Sequence, residues 1–453
     1  MTGSSDAKSV RWLAAEILHK VDSHKAYADL LLDHHLRNAD LIDADRALLT
    51  ELIYGTLRWR AKIDAKLIPF LKRSLAETDP FNRNLLRVTL YQLLFLDKIP
   101  AYAAVNEAVE IAKATQPRSA GFINGVLRNF LRQNKKEGKG TDPKSSRSNL
   151  SEEYSHPQWL VDRWLAYFGR EQAKALMLAN NQKAPLVVRV NQRTTTRAAM
   201  LARWQECGII AKPSVISPQG IRLPTGVSIE ALPGFAEGHF QVQSEASQLV
   251  SHLVGPVSGE TVLDACAAPG GKATHLAELI GDRGKIIAID TSARGIGRIA
   301  QNAERLKLTS LQAIRTDASQ ALPDSLAGPY DRILVDAPCS GLGTLRSHPE
   351  IKWQRNDSDI ARLAALQARI LQSVAARLKA GGVLVYSTCT LTIDENERVI
   401  ENFLRQNSQF ELTGAARYLP ESARHMVCDK YFQALPQRDD TDGFFAARMR
   451  KVA

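Results

Sequence analysis

Cysteine is scarce in this chain. Five cysteines, at positions 207, 266, 339, 389 and 428, are spread over 453 residues, and no two form a CxxC pair. An odd number of isolated cysteines excludes a disulfide framework and offers no zinc-finger spacing. A reducing cytoplasm and no metal are therefore the expectation. Long apolar runs are also missing. None reaches the roughly eighteen residues a membrane helix needs, and the opening MTGSSDAKSV has no apolar stretch like that of a signal peptide. The expectation is a soluble chain with no membrane partner, and nothing demands more than a monomer. Acidic residues are the minority charge: 48 Asp and Glu face 59 Lys and Arg, a net charge of +11. A basic balance favours an anionic partner, and nucleic acid is the commonest one.

The length suggests several domains. Residues 1–132 read as an all-helical domain. Val10, Leu13, Ile17 and Val21 recur at three- and four-residue steps, and similar spacing returns in 47–71, 85–96 and 103–114. Pro69, Pro80, Pro100 and Pro117 punctuate these runs. Residues 133–154 read as a basic, flexible linker, with Lys135, Lys136, Lys139, Lys144 and Arg147 among Gly, Ser and Asn. Residues 155–240 suggest a small α+β subdomain: a helix with Trp159 and Trp164, a strand APLVVRVN, and a second helix ended by Gly208. Arg189 and Asn191 are its candidates for touching single-stranded nucleic acid, while both tryptophans read as core. From 241 to 453 strands alternate with helices, which predicts a parallel α/β sheet of Rossmann type covered on both faces.

In such sheets ligands bind beyond the carboxyl ends of the strands. The first strand ends in LDACAAPGGKATHLAELI. Cys266, Ala267, Ala268, Pro269, Gly270 and Gly271 form a loop of small residues, and a helix begins near Lys272. The two glycines let backbone amides approach a ligand, and the helix N-terminus favours a carboxylate or phosphate. Asp290 ends the next strand, nineteen residues after Gly271, the expected place for an acid gripping ribose hydroxyls. Asp317 follows the third strand and is placed to accept from an adenine amino group. The loop is neither GxGxxG nor GxxxxGK[ST], which disfavours a dinucleotide and a nucleoside triphosphate. A cofactor with ribose, adenine and a carboxylate but no phosphate fits better, and S-adenosylmethionine is such a molecule. A lone Asp at a strand end usually caps a helix, but three in succession (Asp290, Asp317, Asp336) argue for more than capping.

Cys339 in DAPCSG and Cys389 in VYSTCT each follow a short apolar strand, fifty residues apart. Both thiols are expected to face one pocket, where one attacks carbon covalently and the second serves the same reaction. Taken singly, each cysteine would read as a small buried hydrophobe. Cys266 reads as a backbone contact of the cofactor loop, and Cys207 and Cys428 as structural.

LDACAAPGGK, VDAPCSGLGTLRSHPEIKW, VYSTCTLTIDENE and the terminal TDGFFAARMRK resemble the signature motifs of the NOL1/NOP2/Sun RNA cytosine-5 methyltransferases, over about residues 155–451. ADRALLTELIYGTLRW and AVNEAVEIAKATQPRSAGFINGVLRNFLR are similar to the antitermination factor NusB. The pairing resembles the bacterial branch of the family that acts on 16S ribosomal RNA. The resemblance implies methylation of cytosine C5 through a covalent adduct at C6, with Cys389 of the TC motif as nucleophile and Cys339 of the PC motif assisting release. Asp336 is then placed to bond the cytosine N3/N4 edge, with Lys272 supporting Asp336. Ala265 and Thr390 depart from the commoner family residues without touching this chemistry. Three other readings stand beside it: a methyltransferase of another RNA such as tRNA, a DNA cytosine-5 methyltransferase with Cys339 as attacker, and a non-catalytic RNA-binding assembly factor.

Overall fold

The computed structural model describes residues 9–38, 41–137 and 149–452. It divides into two compact units, Met1–Gln182 with Leu345–Gln354, and Lys183–Thr344 with Arg355–Ala453.

The first unit is helical: α1 (Val10–His24), α2 (Ala28–Asn38), α3 (Asp43–Arg58), α4 (Arg60–Leu67), α5 (Pro80–Phe95), α6 (Ala101–Thr115), α7 (Ala120–Glu137), α8 (Leu150–Glu153) and α9 (Gln158–Asn180). The apolar stripe of α1 is buried as its spacing predicts, with Val10, Leu13, Ile17 and Val21 all in the core. Ser9 caps α1 by accepting from the Trp12 N–H. Asp79 caps α5, whose first residue is Pro80. Proline fits there because the first turn has no intrahelical use for its missing N–H. The proposed linker is helical at both ends, in α7 and α8, and Lys139, Lys144 and Arg147 lie outside the described residues. Helix α9, grouped by sequence with the small subdomain, clusters with the helical unit. Trp164 is fully buried there, edge-on to His156 at 5.3 Å between ring centres, and Trp159 is half-buried.

A ten-residue segment from the middle of a methyltransferase-like motif also belongs to this unit. The chain arrives at Leu345 and departs after Gln354. Lys352, 1% exposed, donates from Nζ to the carbonyls of Arg58 (2.8 Å) and Ser155 (2.7 Å). Trp353 Nε1 donates to the Leu57 carbonyl at 2.7 Å, and Arg58 donates to the Arg346 carbonyl at 3.3 Å. Burial pushes the Lys352 amine well below the usual lysine range. Sequence spacing gave no sign of this insertion.

The second unit holds two sheets. The small one, ordered β2-β3-β1-β4, is antiparallel and comprises β1 (Leu186–Val190), β2 (Lys212–Pro213), β3 (Gly220–Leu223) and β4 (Phe240–Val242). The large sheet contains β5 (Thr261–Asp264), β6 (Lys285–Asp290), β7 (Leu311–Arg315), β8 (Tyr330–Asp336), β9 (Leu378–Thr388), β10 (Phe410–Thr413), β11 (Val427–Cys428), β12 (Tyr431–Ala434) and β13 (Phe444–Lys451). Its order is β11-β12-β13-β9-β8-β5-β6-β7, with β10 paired to β13. Strands β5 to β9 are parallel, as the alternation predicts, and β13 joins antiparallel to β9. Val262, Leu263, Ile333, Leu334, Leu384 and Val385 are buried on both faces, which gives these strands their continuous apolar runs. Among the described residues, no helix is long and apolar enough to cross a membrane.

Candidate active site

Parallel pairing of β8 with β9 sets Asp336 opposite Ser387, so the segments after both strands leave the same sheet edge. Cys339 and Cys389 meet there, with their Sγ atoms 3.3 Å apart. The contact is reinforced from behind. Glu395 is fully buried and accepts from Ser340 N (2.8 Å), Ser340 Oγ (2.6 Å), Thr392 Oγ1 (2.8 Å) and Gln367 Nε2 (3.1 Å). Gln367 also donates to the Pro338 carbonyl at 3.0 Å. One carboxylate thus ties the segment carrying Cys339 to the one carrying Cys389. On the other side, Gly343 N donates to the Cys389 carbonyl at 2.9 Å. A Cβ on Gly343 would stand 2.1 Å from the Gly443 carbonyl oxygen, so only glycine permits this approach. Cys339 is held well above the ordinary thiol range, first by its hydrogen bond with Cys389 and then by burial.

Asp336 ends β8 beside these thiols. Its Oδ2 accepts from Lys272 Nζ at 2.7 Å, and its Oδ1 from Ser387 Oγ at 2.7 Å. Lys272 lies in the first turn of the helix Gly271–Leu279, is buried, and sits over the Phe444 ring at 4.9 Å. The sequence-based pairing of Lys272 with Asp336 therefore exists as a direct ion pair.

The small-residue loop runs from Cys266 to Gly271 between β5 and that helix. Gly270 has φ 102°, and a side chain there would press on Ile299 Cα at 3.2 Å. Asp290 accepts from Ala268 N (3.0 Å) and Ser292 N (2.8 Å), so it shapes the loop as well as bordering it. Asp317 is exposed and accepts from Ser319 N at 2.8 Å. Cys266 is half-buried, and burial pushes its thiol well above the ordinary range, followed by the charge of Asp264. A thiol shifted this way is a poor nucleophile. The small residues, the bare helix N-terminus and the acids along this edge suit a ligand with hydroxyl donors and a carboxylate.

Two expectations are overturned. Arg189 and Asn191 do not offer a nucleic-acid surface, because both are fully buried. Arg189 pairs with Glu278 at 2.7 Å and donates to the Gly271 carbonyl at 2.7 Å, bracing the helix Gly271–Leu279. Asn191 donates to the Gly238 carbonyl at 3.0 Å. Arg189 packs inward on β1, where four successive residues are buried, and Asn191 is buried just past the strand's end, so no in–out alternation marks them. Cys207 and Cys428 are exposed rather than structural: one caps a helix end and the other lies on the two-residue edge strand β11. Two contributors were missed. Glu395 was hidden in a run of polar residues. Asp264, last residue of β5, is fully buried with its carboxyl pushed up to about 7, by burial first and then by the charge of Asp336.

A sheet of this order, with a glycine-turned loop after its first strand and an antiparallel strand beside its last parallel one, is the Rossmann-like fold of methyltransferases. Profiles of three families match the chain: the 16S rRNA methyltransferase RsmB/F over residues 251–450, the NusB family over 8–132, and the RsmF/B-like ferredoxin-like domain over 156–230. The chain is 40% identical to the probable ribosomal RNA small subunit methyltransferase B of Bacillus subtilis strain 168, over 98% of this chain and 99% of that protein. It is 36% identical to the protein of the same description in Synechocystis sp., over 98% and 100%. It is also similar to the crystal structure of PH0851, at 26% identity and a TM-score of 0.84, covering 100% of both chains. The chain belongs to the RsmB/F family of 16S rRNA methyltransferases.

Proposed function

We propose that this protein methylates C5 of a cytosine in 16S ribosomal RNA, with S-adenosylmethionine as methyl donor and Cys389 as the covalent nucleophile. The observation that carries the reading is the 3.3 Å contact between Cys339 and Cys389 beside the Lys272–Asp336 pair. Cytosine C5 is a weak nucleophile. A thiolate added at C6 converts the ring to an enamine whose C5 attacks an electrophilic methyl group. The cofactor supplies that methyl group when bound along the edge lined by Cys266, Ala267, Ala268, Pro269, Gly270 and Gly271, with Asp290 and Asp317 toward its ribose and adenine.

The protein's own residues divide the remaining work. Asp336, held by Lys272 and Ser387, bonds the N3/N4 edge of cytosine and favours addition at C6. Cys389 forms the C6–S bond. Cys339 and Cys389 share a sulfur–sulfur hydrogen bond, and Cys339 is held above the ordinary thiol range, which disfavours it as the attacker. Once C5 carries the methyl group, loss of the C5 proton expels the Cys389 thiolate and restores the aromatic ring. Cys339 stands within reach to serve that release.

The test is a trapping experiment. Cys339→Ala and Cys389→Ala proteins are each incubated with S-adenosylmethionine and 16S RNA and resolved on a denaturing gel. The expected result is a covalent RNA adduct with Cys339→Ala alone, and loss of turnover by about 10³-fold or more in Cys389→Ala. An adduct with Cys389→Ala alone reverses the roles and favours the DNA-type mechanism. Failure of the wild-type protein to methylate 16S RNA, free or in a partly assembled subunit, overturns the substrate.

A further inference from the structure

We propose that Asp29, His348 and Glu350 form a binding site for one divalent transition-metal ion, Zn²⁺ by donor chemistry, inside the helical unit. One ligand atom from each lies within 4.8 Å of the others. His348 and Glu350 come from the inserted segment Leu345–Gln354, and Asp29 from the first turn of α2.

The buried member of the trio carries the argument. Glu350 has no solvent exposure, and its Oε2 meets no hydrogen-bond donor among the described residues. Its Oε1 lies 3.2 Å from Ala28 N and 3.7 Å from His348 Nδ1. A carboxylate removed from water requires a compensating partner. Counting only these three side chains, a protonated imidazole offsets one of the two carboxylates. A divalent ion with a neutral imidazole brings the sum to zero. Both acids also act on the Tyr54 hydroxyl, which is raised by burial first and then by Glu350 and Asp29, with Arg58 acting in the opposite direction.

The geometry is close to what an ion needs. Zinc bonds to nitrogen and oxygen of about 2.0–2.2 Å put tetrahedral ligands about 3.4 Å apart, so no pair has to close by more than about 1.4 Å. One nitrogen and two oxygens suit Zn²⁺ better than Mg²⁺ or Ca²⁺, which favour all-oxygen shells. His348 keeps 32% side-chain exposure, which leaves a route for the ion and room for a water as fourth ligand. The backbone prepares the site, since Ala28 N already holds Glu350 and the Tyr27 ring meets His348 edge-on at 6.3 Å between centres. Such an ion would fasten to α2 the segment that begins six residues after Cys339. The proposal departs from the expectation of a metal-free protein and does not depend on the reaction the active site performs.

The test uses the full-length protein, stripped with chelator, reloaded with Zn²⁺ and desalted. Cys339→Ser/Cys389→Ser protein serves as a background without the paired thiols. The expected result is one equivalent of zinc in both, a raised melting temperature on reloading, and at least about tenfold weaker binding in His348→Asn. Loading with Co²⁺ provides a second readout that needs no variant: nitrogen and oxygen ligands give no thiolate charge-transfer band. Three results overturn the proposal: no stoichiometric zinc in the wild type, full zinc in His348→Asn, or a cobalt–thiolate band. Should His348→Asn fail to fold, Glu350→Gln and Asp29→Asn replace it with the same expected loss.

Discussion

Cys339 Sγ lies 3.3 Å from Cys389 Sγ, although the two residues follow different strands, β8 and β9. A disulfide bond of about 2.05 Å is a little over an ångström away. A mild two-electron oxidant such as diamide should therefore cross-link the pair and abolish methyl transfer, and dithiothreitol should restore it. Inactivation should quicken as pH rises, because Cys339 is held above the ordinary thiol range and only a thiolate attacks. Peptide mapping checks the result. Loss of activity without a peptide joining Cys339 to Cys389 would show that oxidation acts elsewhere.

Lys272 and Asp336 should be energetically coupled. Lys272 is 9% exposed at its side chain and Asp336 is 27% exposed, so water screens the pair only in part. Lys272→Met leaves Asp336 with Ser387 as its remaining side-chain partner and should lower unfolding free energy by about 1–3 kcal/mol, below the full cost of breaking a wholly buried pair. Asp336→Asn in the same protein should recover part of that loss. Urea titration of the two single variants and the double variant measures the coupling. Strictly additive effects would mean that the ion pair contributes nothing.

Asp264 should make stability depend on pH in the opposite sense to an ordinary paired carboxylate. Its folded-state pKa, raised to about 7 from 3.8, means the folded chain keeps a proton that the unfolded chain releases between those values. Its contribution is fully favourable below the unfolded pKa and is lost as pH rises through about 7, a total of about 4 kcal/mol. Asp264→Asn removes the dependence. The stability of the variant relative to wild type should therefore be higher at about pH 8 than at about pH 5 by roughly 2–3 kcal/mol. An equal difference at both pH values would show that Asp264 is ionised throughout.

The helical unit shows how far local pattern reaches. The stripe of α1 and the prolines at the helix starts are local features, set by a 3.6-residue period and by backbone sterics, and they appear where the spacing puts them. The segment Leu345–Gln354 is different. Its residues read as part of a catalytic-domain motif, but Lys352 donates to backbone carbonyls nearly two hundred and three hundred residues away. No periodicity encodes those partners. The same holds for Arg189, whose charge suggested a surface role and whose partners are Glu278 and Gly271.

The sequence by itself determined the strand–helix alternation, the small-residue loop after β5, the acids at strand ends and the two cysteines beyond β8 and β9. All of these follow from short-range preferences and from the rule that parallel strands present their carboxyl ends together. Only the tertiary structure decided that the thiols touch, that Glu395 ties their segments together, that Asp264 is buried beside Asp336, and that Asp29 meets His348 and Glu350. Those relationships depend on which distant segments pack together, and close packing fixes distances that the order of residues along a chain does not carry.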